Sequence, residues 1–141
     1  MTRSVQEGVD EAVRCWESKL NCAESVFRGT CFAEDIALDD IPKRMATPFG
    51  GGIGRSGDVC GALTGGVLAI GASLGRTSPD SDKTACYEAA GALHKQFEEM
   101  FGASSCKALN MSDFTSPQHR ARCGRFVEMA TRLTLSVLRR Q

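Results

Sequence analysis

The chain has 141 residues, 17 acidic and 17 basic side chains, and 42% hydrophobic residues. That length suits one domain with a core of its own, and the balance excludes a disordered chain or a global basic field that would recruit nucleic acid. Fifteen glycines and a 6% aromatic content leave the core to Leu, Val, Ala and close backbone approach.

Val5, Val9, Ala12, Val13, Trp16 and Leu20 recur at three- and four-residue spacing and predict a first amphipathic helix over about residues 4–20. Asn21 is placed to cap a continuation carrying Cys22, Val26 and Phe27, with Gly29 as its stop. Residues 34–57 hold two prolines, five glycines and several aspartates, and read as a long connection with one helical turn at most. A central helix follows Asp58 and runs to Leu74, ending at Gly75. Its Gly61-x-x-x-Gly65 spacing lets neighbouring backbones approach, which places it inside. Ser78 or Asp80 starts the next helix, with Ala85, Ala89, Ala92, Leu93, Phe97 and Met100 on one side and Gly102 beyond its end. Ser105 is positioned to cap a short turn holding Cys106 and Leu109. Ser116-Pro117 opens the last helix, which carries Cys123, Phe126, Val127, Ala130, Leu133 and Leu138. No β-branched run alternates with period two. The expected fold is all-α: one domain over residues 1–141, a bundle of four to five helices around a buried glycine-rich central helix.

The N-terminal residues are polar where a secretory leader needs an apolar stretch. The uncharged run 59–75 contains five glycines and little bulky apolar mass, so a buried helix is expected rather than a membrane span. These features predict a cytoplasmic protein with no membrane or nucleic-acid partner. In a reducing compartment, seven cysteines point to metal binding or redox work rather than structural disulfides, and an odd number cannot all pair within one chain.

Cys60 stands out among them. A glycine-rich loop precedes it, and it opens the central helix, where unpaired N–H groups and the helix dipole favour a thiolate. Gly52-Ile-Gly54-Arg-Ser-Gly57 satisfies G-x-G-x-x-G, but a dinucleotide site needs a strand before it, and Met45-Ala-Thr-Pro-Phe49 is a poor one. The simpler use is a tight wrap that turns backbone N–H groups towards Cys60. His94 and His119 fit no metal-ligand spacing and read as helix-flank residues. Neither Cys-x-x-Cys nor Cys-x-x-Cys-His occurs, which removes the usual thioredoxin-like dithiol, the usual zinc ribbon and covalent c-type haem. Any cysteine cluster must therefore be assembled from distant parts of the chain.

Five segments in order carry a resemblance. They are Asn21-Cys-Ala-Glu-Ser-Val26, Phe49-Gly-Gly-Gly-Ile-Gly54, Cys60-Gly-Ala-Leu-Thr-Gly65, Phe101-Gly-x-x-x-Cys106, and Cys123 ahead of Phe126-Val127. Together they make the chain similar to a redox-active family named C_GCAxxG_C_C after its cysteine pattern. The helical region also resembles that of split-Soret cytochromes, which are associated with an iron–sulfur site; the haem-attachment sequence is missing here. The resemblance implies Cys22, Cys60, Cys106 and Cys123 as the functional and cofactor-binding set. Four thiolates on separate elements suit a [2Fe-2S] or [4Fe-4S] cluster for electron transfer or redox sensing, passing electrons to a redox partner protein. The same set suits a thiol–disulfide pair in which Cys60 reacts and another cysteine resolves it, or a structural zinc ion. Arg120, Arg122 and Arg125 either offset the charge of such a site or form a solvated face. Cys15, Cys31 and Cys86 fall outside the pattern. Cys15, seven residues before Cys22, would share its face on a continuous helix and is the first substitute ligand or resolving thiol to consider. The glycine-rich helix also offers a flat surface on which a homodimer could pack.

Overall fold

A computed structural model describes residues 1–141. The chain is all-helical, with seven helices and no strand. They are α1 (Val5–Glu17), α2 (Cys22–Ala33), α3 (Asp40–Ala46), α4 (Gly61–Leu74), α5 (Thr84–Phe101), α6 (Cys106–Leu109) and α7 (Pro117–Leu138). The count exceeds the expected four to five because α3 and α6 are short helices within segments that read as connections. No helix is long and apolar enough to cross a membrane.

Local chemistry sets the boundaries. Ser4 with Glu7, and Asn21 with Glu24, form reciprocal capping boxes at the starts of α1 and α2. Between those helices the chain turns at Lys19, whose φ is positive, so Cys15 and Cys22 do not lie on one continuous helix. Gly29 does not stop α2; the helix continues to Ala33. A Cβ at Gly29 would meet the Ala12 methyl and the Gly8 carbonyl, so its bare backbone serves the α1–α2 contact instead. Neither Ser78 nor Asp80 caps α5. Arg76 ties down the carbonyls of Pro79 and Ser81, and Asp82 accepts from the N–H and hydroxyl of Thr84, which opens the helix. Ala85 and Met100 consequently lie on the exposed side of α5.

The core lies where α2, α4, α5 and α7 meet. Val26, Leu63, Leu93, Phe97, Phe126 and Val127 fill it. Phe97, Phe101 and Phe126 stack as a tilted trio with centroids 4.9 to 6.5 Å apart. α4 buries Gly61, Ala62, Leu63, Gly65, Gly66, Ala69 and Ile70 and exposes Val67 and Gly71 to Ser73, so it is the glycine-rich inner helix expected. Gly65 has no room for a side chain, because a Cβ would run into the backbone of Ala23 in α2.

That contact generates a paired prediction. Gly65→Ala forces α2 and α4 apart and should lower stability by ~1–3 kcal/mol in urea denaturation. Gly91, in α5 with open space around it, has the opposite sign: Gly91→Ala should stabilise the protein by ~0.5–1 kcal/mol through helix propensity.

Candidate functional site

The thiols of Cys22, Cys60, Cys106 and Cys123 come from four elements. Cys22 is the first residue of α2, Cys60 caps α4, Cys106 is the first residue of α6, and Cys123 sits in the second turn of α7. Each is positioned by its own local device. The capping box holds Cys22, and it is linked to the next segment because Asn21 donates to the Thr47 carbonyl and Thr47 donates to Glu24. Cys60 and Cys106 are tied by backbone. The Cys60 N–H donates to Ser104, the Cys106 N–H donates to Asp58, and Val59 and Ser105 form an isolated antiparallel bridge. Cys123 is carried by α7 alone.

The glycine loop between α3 and α4 is a left-handed turn. Gly51, Gly52, Ile53, Gly54 and Arg55 all have positive φ, from 55° to 68°. For Ile53 and Arg55 this conformation costs roughly 1–2 kcal/mol each. No strand precedes the turn, so the G-x-G-x-x-G match carries no dinucleotide fold. Gly52 is pressed between Asp58 and Cys106, where a Cβ would clash with both. The turn directs the Gly51 N–H at the Cys22 sulfur, not at Cys60 as expected. Cys60 receives N–H groups from Ala62 and Leu63 of its own helix instead.

The four thiols sense one another. Burial is the main cause of the raised pKa of Cys60, and Cys22 and Cys106 push it further, well above the ordinary thiol range. Cys123 is pushed up to about 12 by burial, then by Cys22 and Cys106, with Arg122 and Asn110 opposing. Burial raises Cys22, with Gly51 opposing and Cys106 adding to the rise, and it raises Cys106 against the Asn110 amide. The helix-start advantage expected for Cys60 is therefore overridden. Desolvation and neighbouring sulfur outweigh two N–H groups, and Cys60 is a thiol, not a ready thiolate. No group of three or more His, Cys, Asp or Glu side chains is drawn together tightly enough to hold a metal ion.

The sequence reading missed two residues here. Asn110 is buried and bridges the site: its Nδ2 donates to the Cys106 carbonyl at 2.9 Å and lies 3.7 Å from the Cys106 sulfur. Its Oδ1 meets His119 Nδ1 at 3.0 Å and Arg122 Nε at 3.2 Å. Because that oxygen can only accept, His119 carries its proton on Nδ1 when neutral and leaves the Nε2 lone pair free. The Cys123 sulfur lies against the ring, 3.7 Å from Nδ1 and 3.9 Å from Nε2. The available signal was spacing, since Asn110 follows Cys106 by four residues and His119 precedes Cys123 by four, so each pair shares a helical face. His119 is thus not a plain flank residue, whereas His94 is exposed and pairs only with Glu98. Gly51, Arg55, Phe114 and His119 line a cavity of about 300 Å³ beside the thiols.

The three arginines part ways. Arg122 clamps the 110–113 turn through Asn110 and Asp113 and is the one that offsets charge on Cys123. Arg120 lies over the Trp16 ring at 4.4 Å and donates to its carbonyl, while Arg125 is exposed. Cys15 is in a separate pocket beside Glu11, Arg14 and Arg28, which removes it as a substitute ligand. Cys31 is buried with Phe27, Ala46 and Ala69, and Cys86 lies half-buried at the edge of the main core.

Asp113 yields a pH prediction. The Ser116 hydroxyl and then Arg122 hold its carboxyl well below the usual carboxylate range. A depressed folded pKa means that the stabilisation is full above the ordinary value near 3.8 and is lost as pH falls through the lower folded value. Thermal melts should show Asp113→Asn less stable than wild type at neutral pH, with the gap closing as pH approaches 2.

A family model described as "Putative redox-active protein (C_GCAxxG_C_C)" matches residues 20–137. A protein of Archaeoglobus fulgidus described as "Uncharacterized protein" is 33% identical over 130 residues, covering 86% of each chain. No solved structure matches.

Proposed function

Since the chain belongs to the C_GCAxxG_C_C redox-active family, we propose that it is a small redox protein whose Cys22, Cys60, Cys106 and Cys123 hold an iron–sulfur cluster for electron transfer or redox sensing. The observation that carries this reading is the convergence of three buried thiols and the half-buried Cys22 from four separate elements, each close enough to at least one other to raise its own pKa or its neighbour's. The donor set fits the group. Soft thiolates select iron–sulfur clusters and zinc, and backbone N–H groups from Gly51, Ala62 and Leu63 aimed at sulfur are the kind that tune a cluster. When bound, a cluster would supply a reversible one-electron couple.

The residues of the chain have clear parts in this scheme. The thiols must lose protons on loading, because burial raises the pKa of each of them. His119 lies against Cys123, with the sulfur 3.7 Å from Nδ1 and 3.9 Å from Nε2, and Asn110 holds the ring in place. Asn110 Nδ2 also supports Cys106. The raised thiols weigh against the disulfide reading, since a nucleophilic Cys60 needs a lowered pKa.

Anaerobically purified protein should be brown and contain iron and acid-labile sulfide. Cys22→Ser, Cys60→Ser, Cys106→Ser and Cys123→Ser should each remove the colour, and Cys31→Ser and Cys86→Ser should keep it. A full cluster in Cys60→Ser would overturn the assignment. Colourless, metal-free protein that loses two thiols on mild oxidation would favour the disulfide reading, and one redox-insensitive zinc per chain the structural one.

A further inference from the structure

On the face of α2 away from the thiol cluster, Arg28 stands between two cavities. One, of about 410 Å³, is lined by Arg28 and Lys43 together with Leu20, Phe32, Ile36 and Leu38 on its apolar wall; Glu11, Arg14, Cys15 and Ser18 complete it. The other, of about 390 Å³, is lined by Arg28, Lys43 and Arg44 with Asp40 and Thr47. Arg28 and Lys43 belong to both, so the two cavities adjoin at a cationic junction.

Arg28 is an orphan there. Its Nε is shut off from water and finds no hydrogen-bond acceptor. Glu11, which shares the first cavity, is engaged by Arg14, and Asp40 in the second makes no ion pair with Arg28. Lys43 and Arg44 occupy the last turn of α3 and make no ion pair, and Asp40 is the one unpaired acid among three cations. Arg28 as a whole is half-buried, and its terminal guanidinium nitrogens make no hydrogen bond or ion pair yet stay open to solvent, which leaves them free to meet an anion. Its planar fork matches a carboxylate or phosphate in particular. Beside that charge, the Leu20–Phe32–Ile36–Leu38 wall would shelter an apolar group from water.

We propose that this cleft binds a small amphiphilic anion, a carboxylate or phosphate head held by Arg28, Lys43 and Arg44 with a short apolar body against Phe32, Ile36 and Leu38. The site is separate from the thiol cluster and stands or falls independently of it. Arg28 is the anchor and Lys43 the second contact. Arg44 closes the polar end.

Titration of the full chain with octanoate, octanol and inorganic phosphate, followed by calorimetry and by backbone amide shifts, tests it. Octanoate should bind saturably and shift the amides of Cys15, Arg28 and Ile36, while octanol and phosphate should each bind at least about tenfold more weakly. Arg28→Gln should weaken octanoate about tenfold or more. Lys43→Gln, at a site that makes no hydrogen bond or ion pair, should weaken it several-fold with an unchanged circular dichroism spectrum. Octanol or phosphate matching octanoate would overturn the proposal, as would octanoate affinity indifferent to both substitutions or no saturation by about 10 mM.

Discussion

The seam between α2 and α4 is the constraint on which the rest depends. Gly61 and Gly65 present bare backbone to the start of α2, where the Cys22 sulfur and the Ala23 main chain occupy the space a side chain would need. The helices can approach this closely only because both positions lack a Cβ. The approach does two things at once. It closes the core around Leu63 and Val26, and it brings the first residue of one helix against the cap of the other. Packing and site are therefore one contact. A change that loosened it would cost stability and also pull Cys22 from Cys60.

The electrostatics of the site follow from that depth. A cysteine at a helix start in water would be acidified by the N–H groups it faces. Here three of the four occupy such starts, yet burial and mutual proximity prevail and all four pKa values rise. The resulting pocket keeps its thiols neutral. An interior that resists gathering negative charge by itself accepts it once a cation shares the space. Asn110 is the polar hinge of this arrangement, since one side chain serves Cys106, His119 and Arg122 together.

The helices were legible where periodicity and caps agree: Asn21 opens α2, Ser105 opens α6, and Pro117 starts α7. Glycine was harder to read. Gly29 looks like a stop from sequence, but α2 passes through it, because the deciding fact is the Ala12 methyl lying opposite. Helix α5 starts at Thr84 rather than earlier because Arg76 and Asp82 organise the preceding turn through contacts between polar residues that periodicity does not register. The wrap around Gly51 was visible as glycine, but its handedness was not, and handedness is what sends its N–H to Cys22. Neighbours along the chain do not reveal Asn110 and His119 as a pair, because the hydrogen bond between them depends on how α6 and α7 are docked. Cys15 is the reverse case: its spacing from Cys22 suggested a shared face, and one positive φ at Lys19 broke it.

The four thiols enter the chain at residues 22, 60, 106 and 123, so the site spans most of the polypeptide. The loop closed between the first and the last is long, and none of the intervening helices encloses the pocket without α7. During synthesis the first three cysteines emerge well before the fourth can dock against them. The pocket is complete only once α7 has docked, so a cofactor seated in it would bind only a chain with α7 in place.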